Sequence, residues 1–225
     1  MPSFLRQILI LLWKDLLIDL RRKENFLSML LFSTLTLLIF QFAMGDDQRT
    51  FRLALPGIIW VVFMLTGVLS LNKSYQQDSE NGCIGGLLLA PLDRTVLFLG
   101  KFLANLCFLL VAQLLFLVLC FLFFPLRVQH WPSVPGILLA GTVGFSALGT
   151  LLTAMTASLK GREVLLPILL FPLMVPGLLS LVNLTAYLFF DTRPEQVDAW
   201  WNLLLGFDVL LLVVSILGFE FVMEE

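Results

Sequence analysis

Six apolar runs, each about as long as a lipid bilayer is thick, limit what this chain can fold into. A helix that spans the hydrocarbon needs roughly 20 mostly apolar residues, because each helical residue rises about 1.5 Å. Charged residues make up only 13% of the chain. The sequence therefore predicts one all-α domain, a polytopic membrane protein with six transmembrane helices. The six runs are residues 26–44, 53–71, 96–124, 136–159, 164–190 and 199–222.

The residues before the first run, 3–22, follow a different pattern. Polar residues recur on one helical face and apolar residues lie away from it, which predicts an amphipathic helix in the membrane surface. The basic cluster at 21–23 suits anionic headgroups and the cytoplasmic side. The competing interpretation is a solvated charge run with no membrane contact.

Basic residues divide unequally between the two sides of the predicted bundle. With the N-terminus in the cytoplasm, most lysines and arginines face the cytoplasm, as the positive-inside rule favours. An even number of spans then places both termini on that side. The four basic residues left outside are Arg49, Arg52, Arg127 and Arg193. The five tryptophans near the ends of the runs are interpreted as interfacial anchors: Trp13, Trp60, Trp131, Trp200 and Trp201.

The chain offers little material for catalysis. It lacks the Walker A pattern, so any ATP would have to be bound by a partner. We find no nucleophile elbow and no zinc-binding helix, and the three cysteines form no C-x-x-C pair. The net charge of −2 does not indicate a nucleic-acid partner. We therefore expect no catalytic residue, no metal site and no enzyme activity in this chain.

Two polar residues stand out from their surroundings. His130, the only histidine, falls in a predicted outer loop beside Trp131. It is either an axial ligand for heme iron or an ordinary solvated loop residue. Asp208 lies within the last apolar run, where an ionised carboxylate costs about 2.5 to 3.5 kcal/mol on insertion scales. We expect Asp208 to face protein rather than lipid, in either a structural or a functional role.

The fourth run carries two kinds of small residue on opposite faces. Gly136, Ala140 and Gly144 recur every four residues, a spacing that predicts close approach of a neighbouring helix. The hydroxyls on the other face either bond back to their own helix or line a polar seam. These hydroxyls belong to Thr142, Ser146, Thr150 and Thr153.

The fifth run carries three prolines, Pro167, Pro172 and Pro176. Each proline removes a backbone donor, so the sequence predicts a kinked helix there. The freed carbonyls then need partners in neighbouring helices or in water.

The polar connection 72–95 is the longest between two runs. We expect a short cytoplasmic coupling helix within it, at residues 78–90, which transmits motion from a soluble partner. A surface helix without any partner is the alternative. The residues expected to couple to an ATPase are Asp78, Glu80, Asn81, Gly82, Leu87, Leu88, Leu89 and Pro91.

Three stretches give the chain a family resemblance. They are LPGIIWVVF at 55–63, NGCIGGLLLAPLDR at 81–94 with Gly100 and Lys101 after it, and GREVLLPILLFPLMVPGLL at 161–179. In these stretches the chain resembles the CcmB family, the heme exporter protein B permeases of bacterial cytochrome c maturation. The likeness covers nearly the whole chain. The family usually carries an acidic residue where this chain has Gly85.

The resemblance implies a fold like that of ABC-2-type exporter permeases, in the bacterial inner membrane. It also implies two copies of this chain in a complex with a CcmA-like ATPase. Further implied partners are a CcmC-like heme-handling membrane protein, a small CcmD-like membrane subunit and a CcmE-like heme chaperone. ATP would be bound by the ATPase, and heme would be cargo of the complex rather than a cofactor of this chain.

The function implied is to couple ATP hydrolysis in a partner to heme export or to release of the heme-loaded chaperone. One alternative is a generic ABC-2-type permease that exports lipid or drugs. Another is a membrane scaffold that recruits the ATPase without transporting anything. A secondary transporter is disfavoured, because the runs lack the paired charges expected of ion coupling.

Overall fold

A computed structural model describes residues 4–21, 23–44, 48–80, 94–124, 126–156, 159, 161–192 and 194–222. These residues form α-helices, with 3₁₀ turns at Trp131–Ser133 and Pro194–Gln196. No strand occurs in the described ranges. The helices are α1 (Phe4–Arg21), α2 (Lys23–Met44), α3 (Gln48–Glu80), α4 (Arg94–Phe123), α5 (Val134–Thr156), α6 (Arg162–Phe190) and α7 (Val197–Val222).

Helices α2 to α7 are each long and apolar enough to cross a membrane, and each overlaps one of the six apolar runs. The prediction of an all-α polytopic membrane protein is confirmed. Successive helices run in opposite directions between two ends of the bundle. We call the end with the first residues of α2, α4 and α6 the proximal end, and the end with the first residues of α3, α5 and α7 the distal end.

Helix α5 is the centre of the bundle and packs against α3, α4, α6 and α7. Glycines allow this crowding. A Cβ added at Gly141 would strike the Trp60 ring of α3, and one at Gly149 would strike Leu71 of the same helix. The missing side chains therefore bring the α3 and α5 backbones close together.

The strip of small residues on α5 faces α7. A Cβ added at Gly136 would lie 2.9 Å from the Trp201 ring, and one at Gly144 would strike the Asp208 carboxylate. Ala140, between them on the strip, is buried. Close helix packing, the role that the spacing predicts, accounts for this strip.

A second hydrophobic cluster lies at the proximal end, apart from the main core, and we call it the proximal cluster. It holds α1 against the start of α4. Leu11 of α1 covers Gly100 of α4, where an added Cβ would lie 2.8 Å from the Leu11 Cβ. Beside this contact Asp15 pairs with Lys101 at 3.9 Å. The buried members of the cluster are Ile8, Leu11, Val96, Leu97, Phe98, Phe102, Ala147, Leu151 and Phe219.

The outer surface of the helices is apolar. On α1, the face turned away from α4 exposes Leu5, Leu9, Ile10 and Trp13. A helix that is packed on one side and apolar on an exposed side suits a position in the membrane surface. Helix α2 exposes a longer apolar stripe, formed by Leu27, Leu31, Leu35, Ile39 and Phe42.

Helix α3 continues past its apolar span, which ends at Asn72, as far as Glu80. The sequence places the start of a separate coupling helix at Asp78, but residues 78–80 are the last residues of α3. Residues 68–80 contain neither glycine nor proline, so their composition favours continuation of the helix beyond the apolar span. Residues 81–93, the rest of the predicted coupling helix, lie outside the described residues.

Helix α6 runs without a break through Pro167, Pro172 and Pro176. It begins after Gly161, whose φ of +84° is a left-handed conformation that glycine adopts without strain. Pro172 and Pro176 lie on the exposed face of the helix. The kink expected at these prolines stays a prediction.

Candidate functional site

A ladder of side-chain hydrogen bonds joins α4 to α5 inside the bundle. Gln113 Oε1 lies 2.6 Å from Thr142 Oγ1. One turn further along α5, Ser146 Oγ donates to the Phe102 carbonyl of α4 at 3.1 Å. We call these bonds, with that of the next turn, the polar seam. It joins the two helices through polar groups that lipid could not satisfy.

The third bond of the polar seam shows how the α5 hydroxyls are used. Thr150 Oγ1 donates to the Ser146 carbonyl of its own helix at 2.7 Å and accepts from Asn105 Nδ2 of α4 at 3.0 Å. Thr153 bonds back to the Gly149 carbonyl at 2.6 Å. The sequence leaves bonding within the helix and bonding across a seam as alternatives, and both occur.

Asp208 lies between α7 and α5 and is only 6% exposed. Its carboxylate occupies the space that a side chain at Gly144 would need. Two turns along α7, the buried Ser215 hydroxyl has no hydrogen-bond partner in the described part of the chain. The contact between α5 and α7 thus combines small residues with polar groups in the middle of two spans.

Trp60 is not an interfacial anchor, contrary to the interpretation of its position near the end of a run. It is 2% exposed, and its Nε1 donates to Thr185 Oγ1 of α6 at 2.8 Å. The open space above Gly141 admits the ring into the core. Trp13 and Trp131, in contrast, are largely exposed, as anchors at a membrane surface are.

His130 lies at the distal end with both ring nitrogens facing partners. Its ring stacks on Tyr187 of α6 with centroids 4.1 Å apart, and Nε2 lies 3.1 Å from Asp191 Oδ1. Its Nδ1 lies 3.4 Å from the Tyr187 hydroxyl. His130 is therefore part of a local network, whereas a ligand for heme iron needs a free ring nitrogen.

The connection between α4 and α5 covers the end of α6. The backbone N–H of Gln129 donates to the Leu188 carbonyl at 3.0 Å, and its side chain reaches the Phe189 carbonyl at 3.4 Å. Carbonyls in the last turn of a helix lack partners within the helix. Gln129 donates hydrogen bonds to two of these carbonyls, and so fixes this connection against α6.

The fixed connection borders an open groove of about 480 Å³, which we call the distal groove. Two aromatic rings, those of Phe121 and Trp131, lie in its wall with their planes 19° apart. Arg127 contributes a positive charge at the same opening. Sequence alone does not predict this site, because its one local signal is that Trp131 follows His130. The lining residues are Phe121, Leu126, Arg127, Val128 and Trp131.

Two of the residues expected to couple to an ATPase, Asp78 and Glu80, lie at the proximal end. Asp78 and Glu80 are in the last turn of α3, and α4 resumes at Arg94. Arg94 Nη1 lies 3.4 Å from the Glu220 carbonyl near the end of α7. The remaining coupling residues lie outside the described residues: Asn81, Gly82, Leu87, Leu88, Leu89 and Pro91.

No group of three or more His, Cys, Asp or Glu residues could hold a metal ion in the described ranges. Cys107 and Cys120, both in α4, are free thiols. The candidate sites in the described residues are a polar interior, an open groove at the distal end, and the ends of α3 and α4 at the proximal end.

Six apolar helices, one of them at the centre of the bundle, together with an amphipathic helix at one end, define a polytopic helical membrane protein. A model of the CcmB protein family matches residues 6–223, so the chain belongs to the CcmB family.

Curated relatives agree with the family match. The heme exporter protein B of Pseudomonas aeruginosa is 31% identical over 170 residues, 76% of this chain and 76% of the relative. The Rhodobacter capsulatus protein of the same name is 33% identical over 173 residues, 75% of this chain and 78% of the relative. The Escherichia coli K12 protein, also heme exporter protein B, is 28% identical over 170 residues, 73% and 75% of the two chains.

Proposed function

We propose that this chain is the membrane permease subunit of a heme exporter for cytochrome c maturation. The relatives named heme exporter protein B and the match to the CcmB family support this function over a lipid or drug permease. The sequence lacks a nucleotide-binding motif, so the energy comes from ATP hydrolysis by a partner subunit. The chain itself is a non-catalytic subunit that moves when the partner does.

The observation that carries the mechanism is the length of α3. Its last eight residues, after Asn72, extend the helix about 12 Å beyond the apolar span. Motion of residues 81–93 therefore acts on the end of a continuous helix that reaches the distal end. A rigid helix transmits such motion, whereas a flexible connection would absorb it.

The other end of the same connection supports coupling as well. Helix α4 starts at Arg94, and its first turns belong to the proximal cluster, beside α1, α5 and α7. A partner that binds residues 78–90 would act on α3 from one side and on the proximal cluster from the other. Helix α3 and the proximal cluster would then move relative to each other. Such relative movement is needed if the two ends of the bundle are to close in turn.

In this proposal the proximal end faces the cytoplasm and the distal end faces the periplasm. The basic residues Lys14 and Lys101 lie at the proximal end, in agreement with the positive-inside rule. Two copies of the chain would act with a CcmA-like ATPase on the cytoplasmic side. CcmC-like and CcmD-like membrane subunits and a CcmE-like chaperone complete the complex.

The test replaces the apolar triplet Leu87, Leu88 and Leu89 by serine in the coupling segment. Copurification of the ATPase and production of c-type cytochromes should both fall. A matched control replaces Pro194, Glu195 and Gln196 by serine in the distal turn before α7 and should change neither. Normal copurification and normal cytochrome levels in the coupling variant would refute the lever. Normal cytochrome levels after deletion of the whole gene would refute the function itself.

A further inference from the structure

Among its described lining residues, the distal groove combines two nearly parallel aromatic rings with one cation. The Phe121 and Trp131 rings lie nearly parallel with their centroids 6.4 Å apart, and Leu126 and Val128 complete the apolar lining. Within the described ranges, no carboxylate pairs with the guanidinium of Arg127. An unpaired cation beside an apolar wall is complementary to an amphipathic anion.

The wall of the distal groove is supported from behind. Phe121 meets the buried Phe189 of α6 edge to face, with centroids 6.3 Å apart. The connection that carries Arg127 and Trp131 is fixed to the same end of α6 by Gln129. Because the lining is held before any ligand arrives, binding does not require the groove to be ordered first.

We propose that the distal groove binds a porphyrin, with the flat macrocycle on the aromatic wall and a propionate on Arg127. The proposal rests on the proposed function, because the relatives' name supplies heme as the cargo. Flat apolar rings stack favourably on aromatic side chains, and arginine pairs with carboxylates through two parallel hydrogen bonds. The volume of about 480 Å³ lies within the usual range of ligand pockets.

The binding mode uses the porphyrin ring and not its iron. His130, next to Trp131 in sequence, directs Nε2 at Asp191 and stacks its ring on Tyr187. Ligation of iron by His130 would require that network to break. Metal-free protoporphyrin and hemin should therefore bind the distal groove with similar affinity.

The experiment uses the full chain in nanodiscs of zwitterionic phosphatidylcholine, titrated with hemin and separately with metal-free protoporphyrin. Trp131→Leu should weaken binding of both about fivefold, and Arg127→Gln should weaken it about threefold. Trp13→Leu is the matched control. Trp13 is 66% exposed and Trp131 is 63% exposed, but the two residues lie at opposite ends of the bundle. Arg6→Gln is the control for the charge, and both control variants should bind as the unmodified chain does.

Three results would overturn the proposal. Unchanged affinity in Trp131→Leu and Arg127→Gln would place porphyrin elsewhere. Binding of hemin without binding of protoporphyrin would show that iron is ligated. Loss of porphyrin binding when phosphatidylglycerol replaces phosphatidylcholine would make the groove a site for anionic lipid headgroups. The proposed function is tested by a separate experiment, since it fails only if cells without this chain still produce c-type cytochromes.

Discussion

The contact between Leu11 and Gly100 makes a sharp prediction, because other glycines of the bundle serve as matched controls. A Cβ at Gly100 would lie 2.8 Å from the Leu11 Cβ, an atom that cannot swing aside without moving α1. A Cβ at Gly206, in α7, would meet nothing within 4 Å. Gly100→Ala and Gly206→Ala therefore make the same chemical change inside a helix. Only Gly100→Ala creates a steric conflict.

The expected difference in the free energy of unfolding follows from comparing the two variants. Replacing glycine by alanine inside a helix stabilises it by about 0.5 to 1 kcal/mol, and this gain is common to both. Overpacking a contact costs about 1 to 3 kcal/mol, and only Gly100→Ala incurs that cost. Its free energy of unfolding should therefore be lower than that of Gly206→Ala by about 1 to 3 kcal/mol. At about 2 to 4 °C per kcal/mol, the Tm of Gly100→Ala should be lower by at least about 2 °C.

Two assays are applied to each purified variant in mild detergent. The first is thermal unfolding, and the second, on separate folded samples, is limited trypsin digestion at Arg6 and Lys14 of α1. Gly100→Ala should also be cut faster there, since α1 would be displaced from α4. Equal Tm values and equal cleavage rates for the two alanine variants would refute the inferred docking of α1 on Gly100. A lower Tm without faster cleavage would show that the strain is absorbed elsewhere.

Two further predictions concern contacts within the membrane. In a double-mutant cycle of Trp60→Phe and Thr185→Val, unfolding in detergent should reveal a coupling energy of about 0.6 kcal/mol and at most about 1.7 kcal/mol, because one interhelical hydrogen bond is removed. A coupling of zero would argue against that bond. Gly144→Ala should destabilise the chain less in an Asp208→Ala background than alone, because removal of the carboxylate frees the space that the new Cβ needs. Equal losses of Tm in the two backgrounds would contradict this packing.

The sequence predicts the helices well, because the length of an apolar span is set by the thickness of the bilayer and apolar runs of that length are easily recognised. It predicts the ends of α3 less well. Polar residues after Asn72 indicate where the membrane ends, but they do not end a helix, so α3 continues as far as Glu80, the last described residue before Arg94. The boundary of a membrane span and the boundary of a helix are two different physical quantities.

The candidate site is harder to predict from sequence, because its residues meet across long separations. His130 and Asp191 are 61 positions apart, and nothing in either local sequence indicates their contact. Trp60 shows the same limit in another way. The position of Trp60 near the end of an apolar run is typical of an anchor. Its ring is nevertheless buried in the core, in the space that the missing side chain of Gly141 leaves on a different helix.

The proximal cluster has a consequence for how the chain is made. Leu11 is synthesised early and Phe219 late, yet both belong to the same small cluster. Helix α1 packs mainly on α4 and can dock there once α4 has entered the bilayer, whereas the cluster as a whole is complete only when α7 has been made. A chain cut short before Phe219 would therefore leave the proximal cluster incompletely covered.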